Sequence, residues 1–214
     1  NIPDWKPAIS HSDERVTITQ GKQDNSVSFP AGNLLNSWDL KLGTEKPISL
    51  EIDAGAYKSN VVIGAIPLSE LKIEDGASQS KITFDKHNKQ SMETFTYHTG
   101  ASQVDLINLA NANFKEMNFE SGAGSYTLDF NGDLQQKATV TIKSGLSNMK
   151  IIIPTGTNAS VNLTGGVNNV SLKGTWTINS NQYKTQSSRG PLLAIDINMG
   201  VGNLELISSD GNSI

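Results

Sequence analysis

Apolar and polar residues alternate along most of this chain, and the alternation comes in a repeated phrase. Two apolar residues flank a polar one, two more residues follow, and a glycine closes the phrase. It runs as Leu50/Ile52 before Gly55, Leu71/Ile73 before Gly76, Phe95/Tyr97 before Gly100 and Met117/Phe119 before Gly122. It continues as Val140/Ile142 before Gly145, Val161/Leu163 before Gly166 and Ile195/Ile197 before Gly200, and an early copy, VTITQG, ends at Gly21. After each later glycine a second alternating run begins, as at Val61/Ile63, Ile82/Phe84, Val104/Leu106, Tyr126/Leu128, Ile151/Ile153, Val170/Leu172 and Leu204/Leu206. A period of two with one apolar face is the mark of a half-buried strand. Apolar spacing of three and four never persists for three turns, so almost no helix is expected.

The eight glycines are spaced 34, 21, 24, 22, 23, 21 and 34 residues apart. Five consecutive intervals near 22 predict an all-β chain of stacked coils, a β-solenoid, each coil giving short strands and a glycine corner. A β-sandwich of short hairpins is the rival reading. Glycine suits a sharp corner, where φ is often positive and the backbone crowded. The long interval between Gly166 and Gly200 holds an insertion, residues 175–191, with Trp176 and Tyr183 among polar neighbours. A solenoid must hide its open ends, so this insertion and the Trp38 region are the candidate caps. Residues 1–15, with Pro3 and Pro7, read as an irregular lead-in. Val16–Phe29 reads as a hairpin-like strand pair, residues 16–208 as one solenoid domain, and 209–214 as a tail.

The 214 residues suffice for a buried core. Net charge is −4, with acids and lysines interspersed and no basic patch, which argues against a nucleic-acid partner. The absence of cysteine removes disulfides, thiolate chemistry and cysteine-based zinc sites. No apolar run reaches the ~20 residues of a membrane span. The chain begins without Met and shows no signal peptide, so membrane association is expected only through a segment outside it.

No GxSxG, HExxH, P-loop or EF-hand pattern is present, so no catalytic residue or cofactor is expected, and these motifs leave the question of a metal site open. One constellation emerges if the coils stack in register. The outward residue two before each glycine is Asp53, Glu74, His98, Glu120 and Lys143 in turn. Stacked ~4.8 Å apart, these would form a charged column with His98 between two carboxylates, able to hold a divalent cation or a cationic ligand. The plainer reading is a solvated charge ladder, each contact worth ~1 kcal/mol or less. Phe84, Phe95, Tyr97, Phe119, Tyr126 and Phe130 fall on the apolar phase and are assigned to the core. Trp176 and Tyr183 lie off the pattern and are the candidates for an aromatic contact, with capping as their other role.

The phrases DGASQSKITF (75–84), TGASQVDLINLANANF (99–114), SGAGSYTLDFNGDL (121–134), IIIPTG (151–156) and IDINMGVGNLEL (195–206) resemble the toast-rack group of bacterial β-solenoid domains. That group includes the C-terminal domains of LiaF-like and PspC-like cell-envelope stress proteins and adhesin-like domains. The resemblance runs from about Trp38 to Ser208. It implies a right-handed, single-chain β-solenoid, extracellular or attached to the bacterial surface, with no shared catalytic residues to carry over. The expected function is therefore a non-enzymatic, envelope-associated adhesion, binding or scaffold role, with a protein or a cell-wall polysaccharide as partner. A sensor domain of an envelope-stress system is the alternative. A polysaccharide lyase on a β-helix is a further one, disfavoured because the only arginines, Arg15 and Arg189, fall outside the regular coils.

Overall fold

The structure is a computed structural model; it describes residues 7–12, 14–20, 42–43, 45–166 and 169–209. The chain divides into two compact units, residues 1–42 and 43–214. In the first, strands β1 (Ala8–Ser12) and β2 (Arg15–Thr19) form an antiparallel pair. The irregular lead-in expected over 1–15 thus contains a strand. Its AISHS sequence alternates too briefly to stand out, and its order comes from backbone pairing with β2. The second strand of the expected Val16–Phe29 hairpin, Gly21, the Trp38 region and residues 210–214 lie outside the described residues.

The second unit is built on a ten-stranded sheet. Its long strands are β3 (Ile48–Ile63), β4 (Leu68–Phe84), β5 (Met92–Ile107), β6 (Phe114–Asp129), β7 (Ala138–Pro154) and β12 (Leu192–Ser209). Each carries both alternating runs of its phrase. All six pair in parallel, so that Ile52, Ile73, Tyr97, Phe119, Ile142 and Ile197 stack in one column. The only helical piece described is a four-residue 3-10 turn at Leu109–Ala112. The fold is all-β with a long parallel sheet, as the periodicity predicts, and its register fits stacked coils.

Within each long strand the inward set changes parity at the glycine. In β4, Leu71 and Ile73 are buried before Gly76 and Ser80, Ile82 and Phe84 after it, with Gly76 and Ala77 both exposed. Two successive outward residues mark a corner. The glycines there are demanded by close stacking. A Cβ on Gly122 would lie 2.5 Å from the carbonyl oxygen of Gly100, and one on Gly145 would lie 2.6 Å from that of Gly122. Positive φ, the expected reason, is found at other glycines, such as Gly174 (φ 81°).

The same contacts reveal the stacking order. Gly200 sits on Gly145, and Gly166 sits on Gly200. Strand β12 therefore pairs with β7 on one edge and with β8 (Asn158–Gly165) and β9 (Asn169–Lys173) on the other. The layer that follows β7 in sequence is displaced outward by the last one. The physical reason is burial: the unbroken 18-residue β12 covers Ile195, Ile197, Leu204 and Leu206 to 1% exposure or less when both edges are paired. The interrupted β8–β9 layer, with Val170 and Leu172 only partly buried, takes the end position.

Inside the sheet, Phe84, Phe95, Tyr97, Phe119, Tyr126 and Phe130 are all at most 1% exposed and belong to one core. Phe119 bridges Tyr97 and Tyr126, with ring centroids 5.7 and 5.2 Å apart. At the loop side, asparagines stitch successive layers. Asn88, 2% exposed, donates through Nδ2 to the carbonyls of Leu68 (2.7 Å) and Ala112 (3.2 Å). Its Oδ1 accepts from the backbone N–H of Leu68 and of Gln90, each at 3.1 Å. Asn113 repeats the motif one layer on, donating to the Asn88 carbonyl at 3.0 Å. Buried loop backbone is satisfied in this way where no ladder can reach it.

Candidate functional site

The residue two before each glycine points outward because Leu71 and Ile73, at alternate positions, point in. Parallel register then places Asp53 beside Glu74, Glu74 beside His98, His98 beside Glu120, Glu120 beside Lys143, and Lys143 beside Asn198. These six side chains line a shallow, open groove of about 1010 Å3 that follows the glycine corner. The four candidate residues Asp53, Glu74, His98 and Glu120 are thus brought into one row. Trp176 and Tyr183 do not line it; both are partly buried and packed against the core.

The row is tied by ion pairs. Glu74 meets Lys72 at 3.2 Å and His98 Nδ1 at 3.6 Å. Glu120 meets His98 Nε2 at 3.8 Å and Lys143 at 2.7 Å. The Lys143 ammonium, aided by His98, holds the Glu120 carboxyl below the usual carboxylate range. All these groups remain well solvated, so each pair contributes little to stability. Among the described residues no group of three His, Asp or Glu side chains converges as metal ligands do. Strand spacing spreads the row along the groove.

A second polar layer lies inside the corner. The residue just before each glycine continues the inward phase, which places Asp75, Thr99, Ser121 and Ser144 at the back of the groove. Asp75 accepts hydrogen bonds from the hydroxyls of Tyr97 (3.0 Å), Tyr57 (3.2 Å), Ser102 (3.3 Å) and Thr99. Ser121 donates to Ser144 at 2.9 Å, and Ser144 to Ser147 at 2.8 Å. Burial pushes the Tyr57, Tyr97 and Tyr126 phenols above their ordinary range, so all three act as neutral donors. Sequence reasoning missed this layer. The available signal was the switch at one alternate position from apolar (Leu71, Ile73) to polar (Asp75).

At the far end, β10 (Thr177–Asn179) and β11 (Gln182–Lys184) form a hairpin inside the 175–191 insertion. Strand β11 pairs antiparallel with β8, setting Tyr183 opposite Val161. Trp176 donates its indole N–H to the Lys173 carbonyl at 2.9 Å.

A family model described as the N-terminal domain of toast_rack, DUF2154, matches residues 1–97 and 94–152. The chain belongs to the toast_rack family. A solved structure described as a "putative cell adhesion protein" from Clostridium sporogenes is similar to this toast_rack chain in fold. It superposes with a TM-score of 0.52 at 19% identity, over 96% of this chain and 77% of that one. No curated protein matches the toast_rack chain significantly. Among the described residues no helix is long and apolar enough to cross a membrane.

Proposed function

We propose that this toast_rack domain is a non-enzymatic binding module of the bacterial cell envelope, with an adhesion or scaffold role at the cell surface. The groove carries the reading. Six in-register layers present Asp53, Glu74, His98, Glu120, Lys143 and Asn198 as one open polar strip, a shape suited to an extended hydrophilic partner such as a cell-wall polysaccharide or a protein segment. Its exposed, ion-paired carboxylates suit binding better than proton transfer, because Glu120, held ionised by Lys143, is a poor proton donor near neutral pH. For the fold we adopt a right-handed β-solenoid with coils of about 22 residues, supported by the parallel register and by the family. The cell-adhesion description of the Clostridium sporogenes neighbour fits the same role.

The test is retention of the full chain on immobilised bacterial cell-wall polysaccharide and on intact bacterial cells. Saturable binding weakened about tenfold by Glu74→Lys with Glu120→Lys is expected. No retention on either support would overturn the proposal. Turnover of a uronate polymer that is lost in Glu74→Gln or Glu120→Gln would replace it with a lyase.

A further inference from the structure

Asp129 ends strand β6, and its neighbours in sequence, Leu128 and Phe130, are core residues at 0% and 1% exposure. Alternation therefore turns the Asp129 side chain away from the core, yet Asp129 is itself 0% exposed. Its register partner in β7 is Ile152, and Ile107 follows the Leu106–Leu128 pair on the β5 side. A short acid between two longer aliphatic residues is screened from water on both flanks. Its Oδ1 accepts the backbone N–H of Asn131 at 2.8 Å. Its Oδ2 is buried and meets no donor.

A buried carboxylate with one oxygen unpaired is costly, and the neutral acid costs far less. Burial accordingly raises the Asp129 carboxyl above its ordinary range, and the Asn131 amides, which favour the charge, offset only part of this. The charged residues on the same face of the flanking strands are Asp105, two before Ile107, and Lys150, two before Ile152. Lys150 lies 3.6 Å from Glu205. In the loop that follows, Asp133 meets His87 at 3.9 Å. Among the described residues no ion pair reaches Asp129. The same loop, residues 130–137, is tied to the layer beneath. The Asn131 carbonyl accepts from the Ala110 N–H at 3.3 Å, and the Asp133 N–H donates to Asn111 Oδ1 at 3.2 Å. Gln136 Nε2 donates to the Asn113 carbonyl at 2.8 Å. Asn131 thus joins the buried acid to these ties: its N–H holds Asp129 and its carbonyl holds Ala110.

We propose that Asp129 is a proton-sensitive latch: the closed junction between the β5 and β6 layers holds it as the neutral acid, and its ionisation loosens loop 130–137. Ionisation demands water, and water reaches Oδ2 only when the Asn131 turn opens. The sign follows from the raised folded value. The junction loses stability as pH rises above the unfolded aspartate value of about 3.9, and the loss is complete above the folded value. Asp129 does not line the groove, so the latch is independent of what the groove binds.

The test begins with the full wild-type chain, whose Asp129 side-chain carboxyl is titrated by carbon-detected NMR. A midpoint above about 3.9 is expected, and a midpoint at or below it overturns the proposal. Hydrogen exchange at the amides of Ala110 and Asp133 is then compared with that in Asp129→Asn, which stays neutral at every pH. At pH 7 the variant should exchange at least about fivefold more slowly there than wild type, with the ratio shrinking below about pH 4. A ratio that does not change with pH would make Asp129 a packing residue and overturn the latch. Should the variant fail to fold, the wild-type titration alone decides.

Discussion

At the β8 end of the long sheet, the hairpin β10–β11 pairs with the outer strand, and Val161 and Leu163 beneath it are buried at 0% and 8% exposure. At the β3 end, Leu50 and Ile52 occupy the same two positions of the repeat and remain partly exposed. The residue types are alike, and so is the period of two. The difference lies in what covers the edge: an inserted segment of the same chain at one end, and no described strand at the other. In a stacked sheet, then, burial is a property of a layer's neighbours rather than of its own sequence.

The comparison is tested most sharply by placing the same change in the middle and at the end of one column. Ile142→Asp sets a charge at a fully buried site and should abolish the cooperative unfolding transition, a loss of more than about 4 kcal/mol. Ile52→Asp, in the same column at the β3 end, should leave a folded chain weakened by about 1–2 kcal/mol. Equal damage from both, measured by denaturant titration, would mean that the β3 layer is as covered as the interior.

The glycine corner allows the same contrast on a smaller scale. Gly122→Ala drives a methyl into the Gly100 carbonyl and should cost about 1–3 kcal/mol. Gly55→Ala has open space among the described residues and should stay within about 0.5 kcal/mol of the parent. Thermal melts of the two variants measure the difference directly. At the covered end, Tyr183→Ala removes a ring packed on the core from the hairpin strand. It should lower stability by about 1–2 kcal/mol, and faster hydrogen exchange confined to β8 would locate the effect.

The smallest expected effect belongs to the groove. Because Lys143 depresses the Glu120 carboxyl, that pair contributes stability at pH above the unfolded carboxylate value of about 4.3. The contribution is lost as pH falls through the lower, folded value. Lys143→Ala should therefore be weaker than wild type by no more than about 1 kcal/mol at neutral pH, with the two converging in acid. A gap that persists at low pH would show that Lys143 acts through packing instead.

Several features were legible before any coordinates. The strand phrases, the one-faced core, the aromatic residues within it and the outward row from Asp53 to Lys143 all follow from a period of two interrupted by glycine. Other features were not. The phrase ending at Gly166 precedes the one ending at Gly200 in sequence, yet Gly200 stacks on Gly145 and Gly166 lies beyond it. Asp75 drew no role from the sequence, and in the fold it holds four hydroxyls at an inner corner. Asn88 gave no periodic signal at all, since its value lies in carbonyls 20 and 24 residues away.

The sequence by itself determined which residues of each layer face inward, because side-chain alternation along a strand is a local consequence of backbone geometry. Only the tertiary structure decided the order of the layers, the reason for the corner glycines and the coverage of the β8 edge. Every layer offers the same apolar pattern to every other, so pairing is settled by which arrangement buries the most complete strand on both edges. That is a comparison between distant segments, and no window of sequence contains it.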